Sequence, residues 1–121
     1  MVLTTTMLDD TQATIQSFII SDWTHFCVGD GTTTPAASDT ALDNQTFIDT
    51  IDDTDTSVSN EATVTGIVEA GENNGNDINE VGIKDGATGN LKCRKTITTI
   101  TKTSDIIVYI DYTVTITMEE I

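Results

Sequence analysis

The sequence predicts a mainly β protein: an antiparallel β-sandwich-like domain with one short N-terminal helix. Three observations carry that expectation. Ile, Val and Leu are interleaved with Thr through most of the chain, a composition that suits half-buried strands. The stretches "QTFIDTI", "EATVTGIVEA", "INEVGIKD", "NLKCRKTITTI" and "DIIVYIDYTVTITM" are separated by segments rich in Gly, Asn, Asp or Ser, which tolerate turn dihedrals or bond their own backbone. Only near the N-terminus does the apolar spacing change to a helical period.

The helix is expected over residues 9–20, within "LDDTQATIQSFII". Leu8, Ile15, Phe18 and Ile19 fall on one side of it, and Asp9, Asp10 and Thr11 offer capping oxygens at its start. "SDWTHFCVGDG" then reads as a brief strand with Phe26 and Val28 on one face, ended by Gly29 and Gly31. Residues 29–44 are expected to be a loop and residues 45–121 the β body. In the last strand, Ile106, Val108, Ile110, Tyr112, Val114, Ile116 and Met118 alternate with mostly polar residues, so one face is wholly apolar. At about 3.3 Å per residue a strand that long spans roughly 43 Å, which predicts a bend across two sheets or an extension onto a neighbouring subunit.

The chain has 121 residues and a mass of 13.0 kDa, the size of one domain. Its 20 acidic residues against 5 basic ones give a formal charge of -15. Such a field repels phosphate backbones and anionic membranes, so neither nucleic acid nor a membrane is an expected partner. In roughly 1 M salt the Debye length falls to about 3 Å and self-repulsion is mostly screened, which fits a halophile's protein. There is no apolar run of membrane-spanning length and no start resembling a secretion signal, so a soluble protein is expected. Cys27 and Cys93 are far apart and outside any CxxC, so free buried thiols are expected rather than a disulfide scaffold.

No motif completes a reactive or metal-binding set. His25 and Cys27 share a strand face and Cys93 is the one other soft ligand, but two ligands do not close a zinc site. The same spacing poorly presents a histidine nitrogen to a thiol for catalysis. Asp53, Asp55 and Ser57 alternate like calcium ligands, yet Val58 and Val64 stand where an EF-hand loop needs Gly and Glu. "GDG" and "GENNGNDINE" lack the lysine or following helix of a phosphate loop and read as turns. The expectation is a non-enzyme with no cofactor and no metal. Trp23, Tyr109 and Tyr112 are the residues that could stack on a sugar.

Two stretches together carry a resemblance. "HFCVGDGTTTPAASDTAL" sets Gly29, Gly31, Pro35, Asp39 and Leu42 at fixed spacing. A later hairpin, within "INEVGIKDGATGNL", adds Glu80, Gly82, Asp85, Gly89 and Leu91. The pattern resembles small tail-fibre or baseplate-associated domains of tailed phages and haloarchaeal tailed viruses, over nearly the whole chain. The resemblance implies a structural virion component of an oligomeric appendage, with itself and other virion proteins as partners. A capsid turret or decoration subunit, or a carbohydrate-binding module for host-surface glycans, is the alternative. In the loop, Gly29 and Gly31 permit a tight turn, Pro35 fixes direction, and Asp39 bonds nearby amides before Leu42 re-enters the core.

The basic residues are Lys84, Lys92, Arg94, Lys95 and Lys102. Strand alternation places Lys92 and Arg94 opposite Leu91 and Cys93, pointing away from the core. They are expected to face Asp52 and Asp53 of a neighbour in a homo-oligomer, a trimer by preference. A solvated basic edge that discourages pairing is the other reading.

Overall fold

The computed structural model describes residues 2–118. One helix, α1 (Thr5–Asp22), is followed by strands β1 (His25–Gly29), β2 (Gln45–Thr50), β3 (Asp53–Asp55), β4 (Glu61–Val68), β5 (Asp77–Lys84), β6 (Leu91–Thr101) and β7 (Val108–Thr115). They form two antiparallel sheets, one ordered β2-β1-β5-β6 and the other β3-β4-β7. Their inner faces share one core, so the fold is β-sandwich-like with an N-terminal helix. Met1 and residues 119–121, the last of the expected β body, lie outside the described residues.

The core follows the strand alternation, with one informative exception. Ala62, Val64, Gly66 and Val68 of β4 are buried in strict alternation, opposite Val108 and Ile110 of β7. On β5 the buried core residues are Ile78, Val81 and Ile83, because the β5–β6 register is irregular between Ile78 and Glu80. That irregularity exchanges the two faces, as a bulge does, and turns Glu80 and Gly82 to the outer side of the sheet. At the centre Phe26 is fully buried, its ring 6.1 Å from that of Phe47 and tilted by 54°. A Cβ at Gly66 would run into the Phe26 ring, so the ring occupies the space that glycine leaves in the facing sheet.

Three expectations from the sequence need correction. The helix begins at Thr5, with Thr4 as its cap accepting from the Met7 amide at 3.3 Å, so Asp9 and Asp10 lie inside it. Its buried side carries Gln16 and Ile19, while Phe18 is 60% exposed and Ile15 36%. The Gln16 amide donates to the carbonyls of Val58 and Glu61 at 2.8 and 2.7 Å, and these backbone acceptors beside β4 select the helix face. The acidic stretch read as a turn contains β3, held by Asp52, whose amide donates to the Thr65 carbonyl and whose carboxylate accepts from the Ile67 amide. Finally, β7 stops at Thr115 and pairs with β4 along its whole length, staying in one sheet.

The two sides of the sandwich differ. Only Ile51 and Asp52 separate β2 from β3, so on that side the chain steps directly from the terminal strand of one sheet to that of the other. On the other side, β6 and β7 end their sheets without bonding to each other. The turn before β5 is gathered by Lys102, which is fully buried. Its ammonium donates to the Ala70 carbonyl, the Asn74 Oδ1 and the Thr103 carbonyl at 3.3, 2.8 and 2.9 Å.

Gly66→Ala should destabilise the fold by about 1–3 kcal/mol, the usual cost of overpacking a full core. Chemical denaturation measures it, and an unchanged midpoint would contradict the packing of Phe26 against β4.

Candidate functional site

Residues 30–44 cross the outer face of β5 and β6, and the chemistry that holds them there is concentrated at Arg94. Its side chain is only 2% exposed. Nη1 lies 3.1 Å from Asp39 Oδ2, Nη2 lies 3.1 Å from Asp43 Oδ2 and donates to the Thr33 carbonyl at 2.9 Å, and Nε lies 3.7 Å from Glu80 Oε1. Glu80 is fully buried and accepts from the Asp43 amide at 2.7 Å. Asp43 also accepts from the Thr33 amide at 3.0 Å and from the Thr33 hydroxyl. One guanidinium thus joins both halves of the loop to two strands, using the fork geometry that lysine lacks.

Charge and burial reinforce each other here. The Thr33 hydroxyl and amide, and then Arg94, hold the Asp43 carboxyl below its ordinary value. For Arg94, burial disfavours the charged form, but the Asp39 bond and the Asp43 and Glu80 charges outweigh it and raise its pKa.

The remaining loop and hairpin residues shape this arrangement. A Cβ at Gly29 would meet the Asn44 carbonyl, and one at Gly31 would meet the Glu80 carboxylate. Pro35 precedes a turn in which Asp39 accepts from the Ala36 amide at 2.9 Å, and Leu42 is 7% exposed beneath the loop. Gly82 leaves room for Leu91, Leu42 and the Cys27 thiol, which a Cβ there would approach to 2.9, 3.0 and 3.1 Å. In the hairpin turn Asp85 accepts from the Asn90 amide at 2.6 Å, and Gly89 sits where a Cβ would strike Asp85. Lys92 lies 3.4 Å from Asp22 and 3.6 Å from Asp85, tying the end of α1 to the hairpin.

Lys92 and Arg94, expected to face a neighbour, have partners within their own chain. Arg94 shares the outer face with Gly82, where the loop covers it and its own chain engages it. Leu91 lies on that face too, beside Gly82, because the register is irregular between Ile83 and Lys84 and breaks the simple alternation at Lys92. Asp52 is likewise bound to the Ile67 amide, while Asp53 is exposed on β3. Of the three aromatics, Tyr109 and Tyr112 line the cleft between β6 and β7, and Trp23 lies apart from them. Trp23 packs against the core, Tyr112 donates its hydroxyl to the Val81 carbonyl at 2.8 Å, and Tyr109 is exposed.

Elsewhere, His25 Nδ1 is hydrogen-bonded to the Thr24 hydroxyl at 2.9 Å. Cys27 and Cys93 are free thiols, each pushed up to about 11, chiefly by burial, so neither is poised as a thiolate nucleophile near neutral pH. Among the described residues no three His, Cys, Asp or Glu side chains gather as a metal-ligand group, and no helix is long and apolar enough to cross a membrane.

A second feature lies at the open side of the sandwich. Between β6 and β7 is a cleft of about 400 Å³ whose lining combines apolar side chains of Val81, Ile97, Ile100, Val108 and Ile110 with Tyr109 and Tyr112 and with the polar Lys95, Asp111 and Thr113. Among the described residues Lys95 has no ion pair or side-chain hydrogen bond, as is also true of Lys84 and unlike Lys92, Arg94 and Lys102. Sequence reasoning missed both this cleft and the role of Glu80. The available signal was an acid at a position between Ile78 and Val81 that simple alternation cannot accommodate.

Comparison with protein-family models and with curated proteins finds no match for this chain.

Arg94→Ala should cost about 3 kcal/mol or more, because it strands the buried Glu80 carboxylate, and Arg94→Lys should fall between it and the wild type. Equilibrium unfolding provides the comparison. A lowered folded-state pKa means that the Asp43 contribution is complete above 3.8 and is lost as pH falls through the folded value. Thermal unfolding below that pH should therefore show a smaller acid loss for Thr33→Val than for the wild type.

Proposed function

We propose that the chain is a non-enzymatic structural component of a tailed-virus virion, in a tail fibre, baseplate or spike, built as a homo-oligomer for a halophilic archaeal host. The observation that supports this reading is the convergence of its two motif blocks. Gly29, Gly31 and Asp39 from the first, and Glu80 from the second, meet around Arg94 and serve to fix one loop shape. Residues so placed are engaged with one another, and the buried Cys27 and half-buried Cys93 both have thiols pushed up to about 11. A rigid, preorganised loop on a small sandwich is what a repeating assembly requires, since ordering it on contact would consume binding energy.

The charge supports the halophilic part of the reading. With a formal charge of -15, compactness depends on screening by salt. The thermal midpoint should rise between about 0.05 M and about 2 M sodium chloride. Equal midpoints would remove the halophile assignment.

Cryo-electron microscopy of purified virions tests the function itself. Density for the chain in a tail appendage is the expected result. Density on the capsid surface would make it a decoration subunit instead, and recovery solely from host cytoplasm would overturn the virion reading.

A further inference from the structure

The edge strands carry charges of opposite sign that face inward. In the first sheet the register aligns Phe47, Val28, Val81 and Lys95 across the four strands, and the neighbouring row aligns Asp49, Phe26, Ile83 and Cys93. Residues directly opposite share a face, and Phe26, Val28, Val81 and Ile83 are core, so Asp49 on β2 and Lys95 on β6 both belong to the inner face at its two margins. An inward charge at a sheet edge commonly serves to prevent edge-to-edge pairing. That purpose is met when both edges carry the same sign. Here they are opposite, one row apart, and among the described residues Lys95 has no ion pair or side-chain hydrogen bond.

Shape agrees with charge. The β2–β3 side presents one terminal strand from each sheet, as does the β6–β7 side. Pairing like sides would set Asp49, Asp53 and Asp55 against their own copies, or Lys95 against Lys95. Pairing unlike sides extends both sheets, sets Asp49 against Lys95, and covers the cleft, to which β7 also contributes Asp111.

We infer that the β6–β7 edge of one copy receives the β2–β3 edge of a second copy, with Lys95 of one meeting Asp49 of the other across the joint. This rests on the reading of the chain as a self-assembling component and specifies its contact. Such a joint is heterologous, so it propagates into a ring or a filament rather than stopping at a two-fold dimer.

The test is sedimentation velocity of the full chain at about 1 M sodium chloride, where the net repulsion is screened and a pair buried in the joint is less so. Lys95→Glu and Asp49→Lys should each weaken association by about tenfold or more, and the double exchange should restore it. Asp49→Asn, which keeps an acceptor for the Thr50 amide, should weaken it less than Asp49→Lys. Circular dichroism of each variant establishes that it is folded. If the wild type associates and a folded Lys95→Glu or Asp49→Lys matches it, the joint is wrong while self-assembly stands. A wild type that remains monomeric at every concentration overturns both joint and self-assembly, and leaves the virion reading to microscopy.

Discussion

The guanidinium of Arg94 is the element on which the outer architecture depends. Two carboxylates from one loop, a third from β5 and a backbone carbonyl surround it, and its side chain is almost wholly withdrawn from water. A buried cation is tolerable only with this degree of compensation, since the desolvation cost exceeds what one ion pair returns. The glycines of the loop follow from the same constraint. Gly29 and Gly31 allow the backbone to come close enough for Asp43 and Glu80 to complete the set. Removing the guanidinium would leave Glu80 with its charge and no cation to balance it.

Lys102 solves a similar problem at the far end of β6. Its ammonium donates to the Ala70 carbonyl and the Asn74 Oδ1 of a turn that contains Asn73 at φ 54° and Gly75 at φ 85°, and to the carbonyl of Thr103. Two of the 5 basic residues are thus placed inside a chain that carries 20 acids on its sequence. Lys92 is engaged by Asp22 and Asp85. Of the 5 cations, Arg94 and Lys102 are internal fasteners and Lys92 ties two elements at the surface, while Lys84 and Lys95 form no ion pair among the described residues.

Strand positions were legible because alternation of Val, Ile and Thr marks faces directly, as β4 and the apolar side of β7 show. The loop was legible through Gly29, Gly31 and Asp39, whose residue types report backbone geometry. The helix face was not, because Gln16 is chosen by two carbonyls far away in sequence rather than by apolar spacing. The site at Arg94 was hidden for a related reason. Alternation correctly sets Arg94 on the outer face of β6, but whether that face meets water depends on a loop more than fifty positions earlier. The face exchange at Glu80 requires a register irregularity that composition does not encode. β3 was obscured because three exposed residues bearing two aspartates resemble a turn until Asp52 is seen to bond β4.

The distance along the chain between the loop and its anchor has a consequence for synthesis. Arg94 lies 61 residues after Thr33, 55 after Asp39 and 51 after Asp43. A chain emerging from the ribosome at about 5–20 residues per second exposes the loop for several seconds before its anchor appears. β1 also lacks its β5 neighbour until Lys84 has been made, so up to that point the chain can form no more than α1 and the β1–β2 and β3–β4 pairs. The sandwich and its outer loop are therefore completed together, late, when the β5–β6 hairpin arrives. A ribosome stalled before codon 94 would hold an acidic nascent chain in which Asp39 and Asp43 have not yet met their counter-ion, and translation through the hairpin is the moment at which the shape becomes fixed.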